Sequence, residues 1–280
     1  KTVLCPAISY MATAEAIKRT GAIISFIDVN ENGLIGEIDI TRQIDAIVYV
    51  NLFGNLADYD RLNAYCQKYN IPLIEDAAQS LGSFYKKIPS GKLGDISSLS
   101  FAPSKPLPCF GNGGMVLTDN ENEAELIRGM RYHSVGTAKL DYGFNSCLSN
   151  DHANVLTCLL LKYKKLLNNT NKIRQVYDNK LSKYGINSIK TQSGTISNNH
   201  KFVIKTQERD KLKQYLSTKN IETQIHYTLP LGKMKMFWTS TQMPIADRFS
   251  QDVLSLPIHP FLKEEEVEYV CKCIGDFYGF

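Results

Sequence analysis

The sequence predicts an α/β protein in which a mostly parallel sheet is covered by helices and followed by a smaller α+β region. Three observations predict it. Short β-branched runs that read as buried strands alternate with helical stretches through the first half. A long run of apolar residues at helical spacing then spans the middle of the chain. After Gly185 the pattern changes to short strands and two helices, entered through a Ser-, Thr-, Asn- and Gly-rich stretch from Gly185 to Ser197. The boundary is therefore set between a large domain of residues 1–184, long connecting helix included, and a small domain of residues 185–280. A length of 280 residues suits about two domains of ~150 residues each, large enough to bury a core without disulfide or metal staples.

Taken in order, the chain opens on the apolar Thr2-Val3-Leu4-Cys5-Pro6, and Ile23 to Ile27 and Ala46 to Val50 follow as buried strands. Asp58 is an N-cap candidate for a helix to Tyr69, with Leu62, Tyr65 and Cys66 on one face. Ile71 to Ile74 reads as a third strand with Pro72 near its entry. Strand, helix, strand in this rhythm argues for parallel pairing. Ser97 to Phe101 and Gly114 to Thr118 are two more strands, before a charged helix from Glu121 to Arg131. Leu156, Leu160, Tyr163, Leu167, Ile173, Tyr177 and Leu181 then recur on one long helix, with an interruption expected near Asn168-Asn169. Beyond it, Lys201 to Lys205 and Glu222 to Ile225 read as strands, and Glu208 to Lys219 and Glu264 to Phe277 as helices.

Composition narrows the function classes. Hydrophobic residues make up 43% and charged residues 21% of the chain, which is ordinary globular composition. The net charge of +4, with its basic residues scattered, gives no footprint for nucleic acid. No apolar run approaches the ~20 residues that cross a bilayer. Seven cysteines without a CxxC or a ladder point to reduced thiols, hence a cytoplasmic protein with no metal site. The chain opens at Lys1 without an initiator Met or a leader, and its natural amino terminus is expected to be absent.

Generic nucleotide fingerprints fail. Gly111-Asn112-Gly113-Gly114 lacks the third glycine of a dinucleotide loop, and Ser90-Gly91-Lys92-Leu93 lacks the flanks of a P-loop, so both read as turns. Three other clusters are more informative together. Ile74-Glu75-Asp76-Ala77-Ala78-Gln79 sets a carboxylate and an amide just past the carboxyl end of a buried strand, where open α/β sheets bind ligands. Ser98 to Pro106 places Lys105 after a strand and before Pro106, with Pro103 two residues upstream. Gly113 to Thr118 supplies a returning strand.

At these residues the chain resembles the DegT/DnrJ/StrS-type aminotransferases, pyridoxal-phosphate enzymes acting on nucleotide-linked keto sugars. The resemblance runs from Cys5 through Thr13, the Asp-Ala-Ala-Gln and Ser-Phe-x-Pro-Ser-Lys motifs and Gly143-Phe144-Asn145-Ser146 to Ile225-His226-Tyr227 and Leu256-Pro257. It implies the three-layer αβα large domain of fold type I pyridoxal-phosphate enzymes, with a smaller C-terminal domain.

The resemblance also implies roles. Lys105 would bond to the cofactor's aldehyde and move protons, since catalysis needs an amine that can become neutral and nucleophilic; read alone, it would be a surface loop lysine. Asp76 would hold the pyridine nitrogen protonated, where an isolated Asp after a strand is a cap or turn former. Gln79 would contact the phenolic oxygen and Ser100 the phosphate, while Tyr10 would stack on the ring. Asn145 would reach the phosphate of a neighbouring subunit, so that a complete site needs a homodimer. His226 either faces the sugar nucleotide or is a satisfied structural histidine. Two departures stand out. Cys147 replaces an arginine of the family pattern, and the opening segment with its Gly-Thr helix start, whose amides hold the phosphate in relatives, is expected to be absent.

The expected function is transfer of an amino group from glutamate to C3 or C4 of a nucleotide-linked keto-deoxysugar, for surface polysaccharide or glycoside synthesis. The cofactor would be pyridoxal 5'-phosphate, cycling with pyridoxamine phosphate. One alternative is a pyridoxamine-dependent sugar dehydratase, which Lys105 opposes because that type carries histidine there. The other is a non-catalytic homologue that serves as a binding or assembly module.

Overall fold

The computed structural model describes residues 1–38, 43–135 and 142–280. Its centre is a six-stranded sheet ordered β2-β1-β3-β4-β7-β8. The strands are β1 (Thr2–Pro6), β2 (Ile23–Ile27), β3 (Ala46–Val50), β4 (Leu73–Asp76), β7 (Ile96–Ser100) and β8 (Gly114–Thr118). The first five run parallel, and β8 returns antiparallel on β7. Helices α1 (Met11–Arg19) and α2 (Tyr59–Tyr69) supply the crossovers. Between β4 and β7 the short strands β5 (Phe84–Tyr85) and β6 (Ile88–Pro89) join β9 (Thr195–Ile196) in a small separate sheet.

Every residue of β3 is buried, as a central strand covered on both faces requires. Its alternating side chains serve two cores. Ile47 and Tyr49 pack with Leu62 and Cys66 of α2, while Val48 and Val50 pack with Ala14 and Ile17 of α1. Asp58 caps α2, accepting from the Arg61 backbone N–H at 3.3 Å, and Asn70 ends that helix in the left-handed region.

Helix α3 (Glu121–Met130) precedes α4 (Asn150–Leu181), which runs 32 residues without the interruption expected at Asn168-Asn169. Packing overrides the weak helix preference of the two asparagines: Asn169 donates to the Pro260 carbonyl at 3.3 Å, and Thr170 is buried one residue on. Past α4 come β10 (Phe202–Lys205), α5 (Arg209–Thr218), α6 (Pro244–Asp252), β11 (Val253–Leu256) and α7 (Glu264–Tyr278). Tyr177 of α4 stacks on Phe202 of β10 with centroids 4.5 Å apart, inside a core completed by α5, β11 and α7.

The strand expected at Glu222–Ile225 does not form. That segment makes a single bridge, Gln224 to Ser255 on β11, so the partner of β10 is β11. Ile189, Val203, Phe249 and Val253 reach back to the sheet core around Val48 and Val50. Among the described residues no helix is long and apolar enough to cross a membrane, and no cluster of His, Cys, Asp and Glu could hold a metal ion.

Candidate active site

Parallel strands end together, so β1, β3, β4 and β7 release their following loops along one edge of the sheet. Tyr10 follows β1, Asp76 closes β4 with Gln79 just beyond, and Ser100 closes β7 ahead of Lys105. Asp76 pairs with Ser98 in register. Ser100, two residues further along β7, therefore lies on the same face of the sheet as Asp76.

The two adjacent carboxylates of β4 face opposite sides. Glu75 is fully buried and accepts from Asn51 Nδ2 (2.7 Å), Ser90 Oγ (2.6 Å), Ser97 Oγ (2.8 Å) and the backbone N–H groups of Gly91 and Leu93. Five donors on one carboxylate leave it no spare capacity for a ligand, so it ties β3, β4, β7 and the 90–93 turn together. Asp76 is half-buried. Its Oδ2 accepts from Thr13 Oγ1 at 2.7 Å and its Oδ1 from the Ala78 N–H at 3.1 Å. Thr13 Oγ1 in turn meets Ser9 Oγ at 2.8 Å. Both oxygens are thereby oriented, with lone pairs remaining for a further donor.

Lys105 sits in the turn after β7, its N–H bonded to the Ala102 carbonyl at 2.9 Å, and its side chain is half-buried. Burial pushes the amine's pKa below the ordinary lysine value, and the Asp76 charge pulls it partly back. Asp76 thus acts on Lys105 without forming an ion pair with it. Ser100 Oγ accepts only a long contact, 3.5 Å, from the Ala102 N–H, so its hydroxyl hydrogen is available to a ligand. Tyr10 caps the start of α1 and is 59% exposed, its ring open to stacking.

Gln79 is buried and bridges two distant loops. Its Oε1 accepts from the Phe53 N–H at 2.8 Å, and its Nε2 donates to the Tyr227 hydroxyl at 2.8 Å. Phe53 and Tyr227 both hold positive φ, 59° and 62°, a costly backbone region for bulky residues that surrounding bonds must impose. Gly54 follows at φ 90°, and Asn198 Oδ1 stands where a Cβ would be, so only glycine fits. One N–H of the Gln79 amide remains after the bond to Tyr227.

His226 donates to or accepts from Ser255 Oγ at 2.7 Å and meets Phe53 edge-on at 5.8 Å. Burial, then the charges of Lys201 and Lys105, lower its pKa to about 4, so at neutral pH the ring is uncharged. Asn145 lies apart from this group. It is exposed and forms a backbone bridge with Tyr132, and no described hydrogen bond links it to Asp76, Ser100 or Lys105. The structure therefore gathers Tyr10, Asp76, Gln79, Ser100, Lys105 and His226 around one edge of one chain, and leaves Asn145 outside.

Three residues here were not singled out from the sequence. Thr13 orients Asp76, Tyr227 holds Gln79, and Lys201 adds its charge beside Lys105 and His226. Thr13 sits four residues after Ser9 in the first turn of α1, a spacing that brings two hydroxyls together. Tyr227 falls within the Ile225-His226-Tyr227 motif, but its bond to Gln79 spans 148 residues, and no local spacing links Lys201 to Lys105 or His226.

Comparison with known proteins adds four findings. Residues 1–275 match the DegT/DnrJ/EryC1/StrS aminotransferase family. Over 285 residues the chain is 32% identical to UDP-2-acetamido-2-deoxy-3-oxo-D-glucuronate aminotransferase of Pseudomonas aeruginosa, covering 97% of this chain and 78% of the relative. It is also 32% identical, over 297 residues, to dTDP-3-amino-3,6-dideoxy-alpha-D-galactopyranose transaminase of Aneurinibacillus thermoaerophilus, covering 99% of this chain and 79% of that one. The crystal structure of a DegT DnrJ EryC1 StrS aminotransferase from Brucella abortus superposes on the whole chain with a TM-score of 0.93 at 29% identity, over 80% of its own length.

Proposed function

We propose, from the premise that this chain belongs to the DegT/DnrJ/EryC1/StrS aminotransferase family, that it moves an amino group from glutamate to the keto carbon of a nucleotide-linked sugar, using pyridoxal phosphate. The observation that carries the reading is Lys105: an amine withdrawn from water at the sheet's ligand edge, unpaired, and within the field of an oriented carboxylate.

The residues present suit the cofactor. An amine for an aldehyde, a carboxylate for a protonated ring nitrogen, a free hydroxyl for a phosphate oxygen and an open aromatic ring lie on neighbouring loops of one edge. Pyridoxal phosphate, when bound, supplies an aldehyde that bonds amines and a ring that takes up the electrons released as a proton leaves the adjacent carbon. The chain does the rest. Burial raises the neutral fraction of Lys105, so that Nζ can attack a carbonyl carbon and afterwards accept and return a proton. Asp76, oriented by Thr13 and the Ala78 N–H, presents its carboxylate oxygens where a ring nitrogen's proton would need an acceptor. Gln79 offers its remaining N–H to an oxygen, and Ser100 its hydroxyl to a phosphate. His226, uncharged at neutral pH and bonded to Ser255, lines the approach as a neutral donor or acceptor.

The names of the two relatives, both sugar-nucleotide transaminases, support a nucleotide-sugar acceptor. Asn145, exposed and outside the cluster, suits a role in the site of a second copy, which makes the working unit a homodimer. Seven unpaired thiols suit a reducing cytoplasm.

Protein loaded with pyridoxal phosphate should show a visible absorption band that glutamate bleaches, and should aminate one of a panel of keto-sugar nucleotides. Lys105→Ala should abolish the band and lower turnover by roughly 10²–10⁴. An unchanged band in that variant would refute the assignment, and absence of any band in the parent protein would favour a non-catalytic homologue.

A further inference from the structure

We propose that Lys201, with His200 beside it, forms a carboxylate subsite facing Lys105, taking an acid group of one of the two reactants. This rests on the reading of Lys105 as the reactive amine and adds to it what else the cleft binds.

Lys201 immediately precedes β10, and its N–H reaches the Phe53 carbonyl at 3.4 Å, which ties it to the loop that Gln79 holds. Its side chain and that of Lys105 line one cavity of about 260 Å³ between the turn after β7, helix α4 and the segment 258–260. His200, His259, Ser104 and Thr170 also line it, and among the described residues no Asp or Glu does. The volume is below the ~300 Å³ at which whole small-molecule sites begin, so it suits one arm of a larger ligand.

Two other half-buried lysines of this chain have found acids. Lys205, four residues on, bonds Glu31 at 3.0 Å, and Lys180 bonds Glu268 at 2.7 Å. Lys201 has no ion pair among the described residues, although a buried charge is costly unless paired. Burial and the neighbouring Lys105 accordingly push its pKa down, and the pKa of His200 is held down by burial and by Lys201. A cleft with two amines, two imidazoles and no carboxylate is complementary to an anion supplied from outside. An incoming carboxylate restores the charge on Lys201 and accepts its N–H bonds.

The carboxylate has two possible sources, the amino donor or a uronic-acid group on the sugar, and the test separates them. Cofactor-loaded protein is titrated by calorimetry with glutarate, a dicarboxylate without an amine, and separately with glucuronate, in wild type, Lys201→Met and Lys201→Arg. Wild type should bind at least one acid. Lys201→Met should weaken that acid about tenfold or more, and Lys201→Arg should restore it to within about threefold, because guanidinium keeps the charge and the donors. Loss confined to glutarate assigns the donor, and loss confined to glucuronate assigns the sugar. Wild type binding neither acid, or an unchanged affinity in Lys201→Met, overturns the proposal. Lys201→Gln replaces the Met variant if the latter does not fold. Failure of the Lys105 reading would show separately, as a missing visible band in wild type.

Discussion

At the scale of single residues, the cleft is defined by titratable groups that water reaches poorly. His226 shows the consequence for stability. Its folded pKa of about 4 lies below the ordinary value near 6.5, so between those values the unfolded chain binds a proton that the folded chain does not. Stability contributed by the neutral ring is complete above about pH 6.5 and is lost as the pH falls toward 4, by up to roughly 3 kcal/mol. Urea unfolding from pH 7 to pH 4 should therefore show a steeper fall for wild type than for His226→Gln. Equal slopes would contradict the burial of this imidazole. The placement of four residues was legible beforehand: Asp76 and Ser100 close recognisable strands and Gln79 and Lys105 follow them, and strand ends are where open α/β sheets bind ligands; their roles are what the family resemblance implies. Thr13, Tyr227 and Lys201 were not, because each acts on a partner from another part of the chain, and no local spacing encodes such a meeting.

At the scale of elements, β4 carries two carboxylates with opposite duties. Asp76 opens to the cleft, and Glu75 is spent on five donors that hold the neighbouring strands and the 90–93 turn. Glu75→Gln presents an amide N–H₂ to donors that need acceptors and should lower the unfolding free energy by about 2–4 kcal/mol. The denaturation midpoint measures this, and a change under ~0.5 kcal/mol would show that the network is not what holds the turn. Element boundaries were legible for β1, β2, β3 and α2, where apolar runs and the Asp58 cap agree, whereas the strand read at Ile71–Ile74 starts after Pro72 and runs from Leu73 to Asp76. They failed where tertiary context decides. Asn168-Asn169 stays helical because Pro260 and the core beside Thr170 accept the chain there. Glu222–Ile225 stays irregular because β11, a four-residue buried run between Asp252 and Pro257, takes the place beside β10. So short a run cannot be assigned by period alone. Pro244 at the start of α6 is a helix-start signal carried by the sequence itself.

At the scale of the whole molecule, the parallel sheet aligns four strand ends, and chain segments from Phe53 to Tyr227 close over that edge through Gln79 and Asn198. The result is one cavity shared by two half-buried amines, with an oriented carboxylate outside its lining acting on Lys105, and only one amine has the covalent role. Lys105 has Asp76 acting on it; Lys201 is assigned to binding an acid. Borohydride reduction of the pyridoxal-phosphate-loaded protein, followed by peptide mass mapping, fixes the cofactor on whichever amine carries it. The added mass should fall on the peptide containing Lys105 and not on that containing Lys201; modification at Lys201, or at no lysine, would overturn the assignment of Lys105 as the reactive amine.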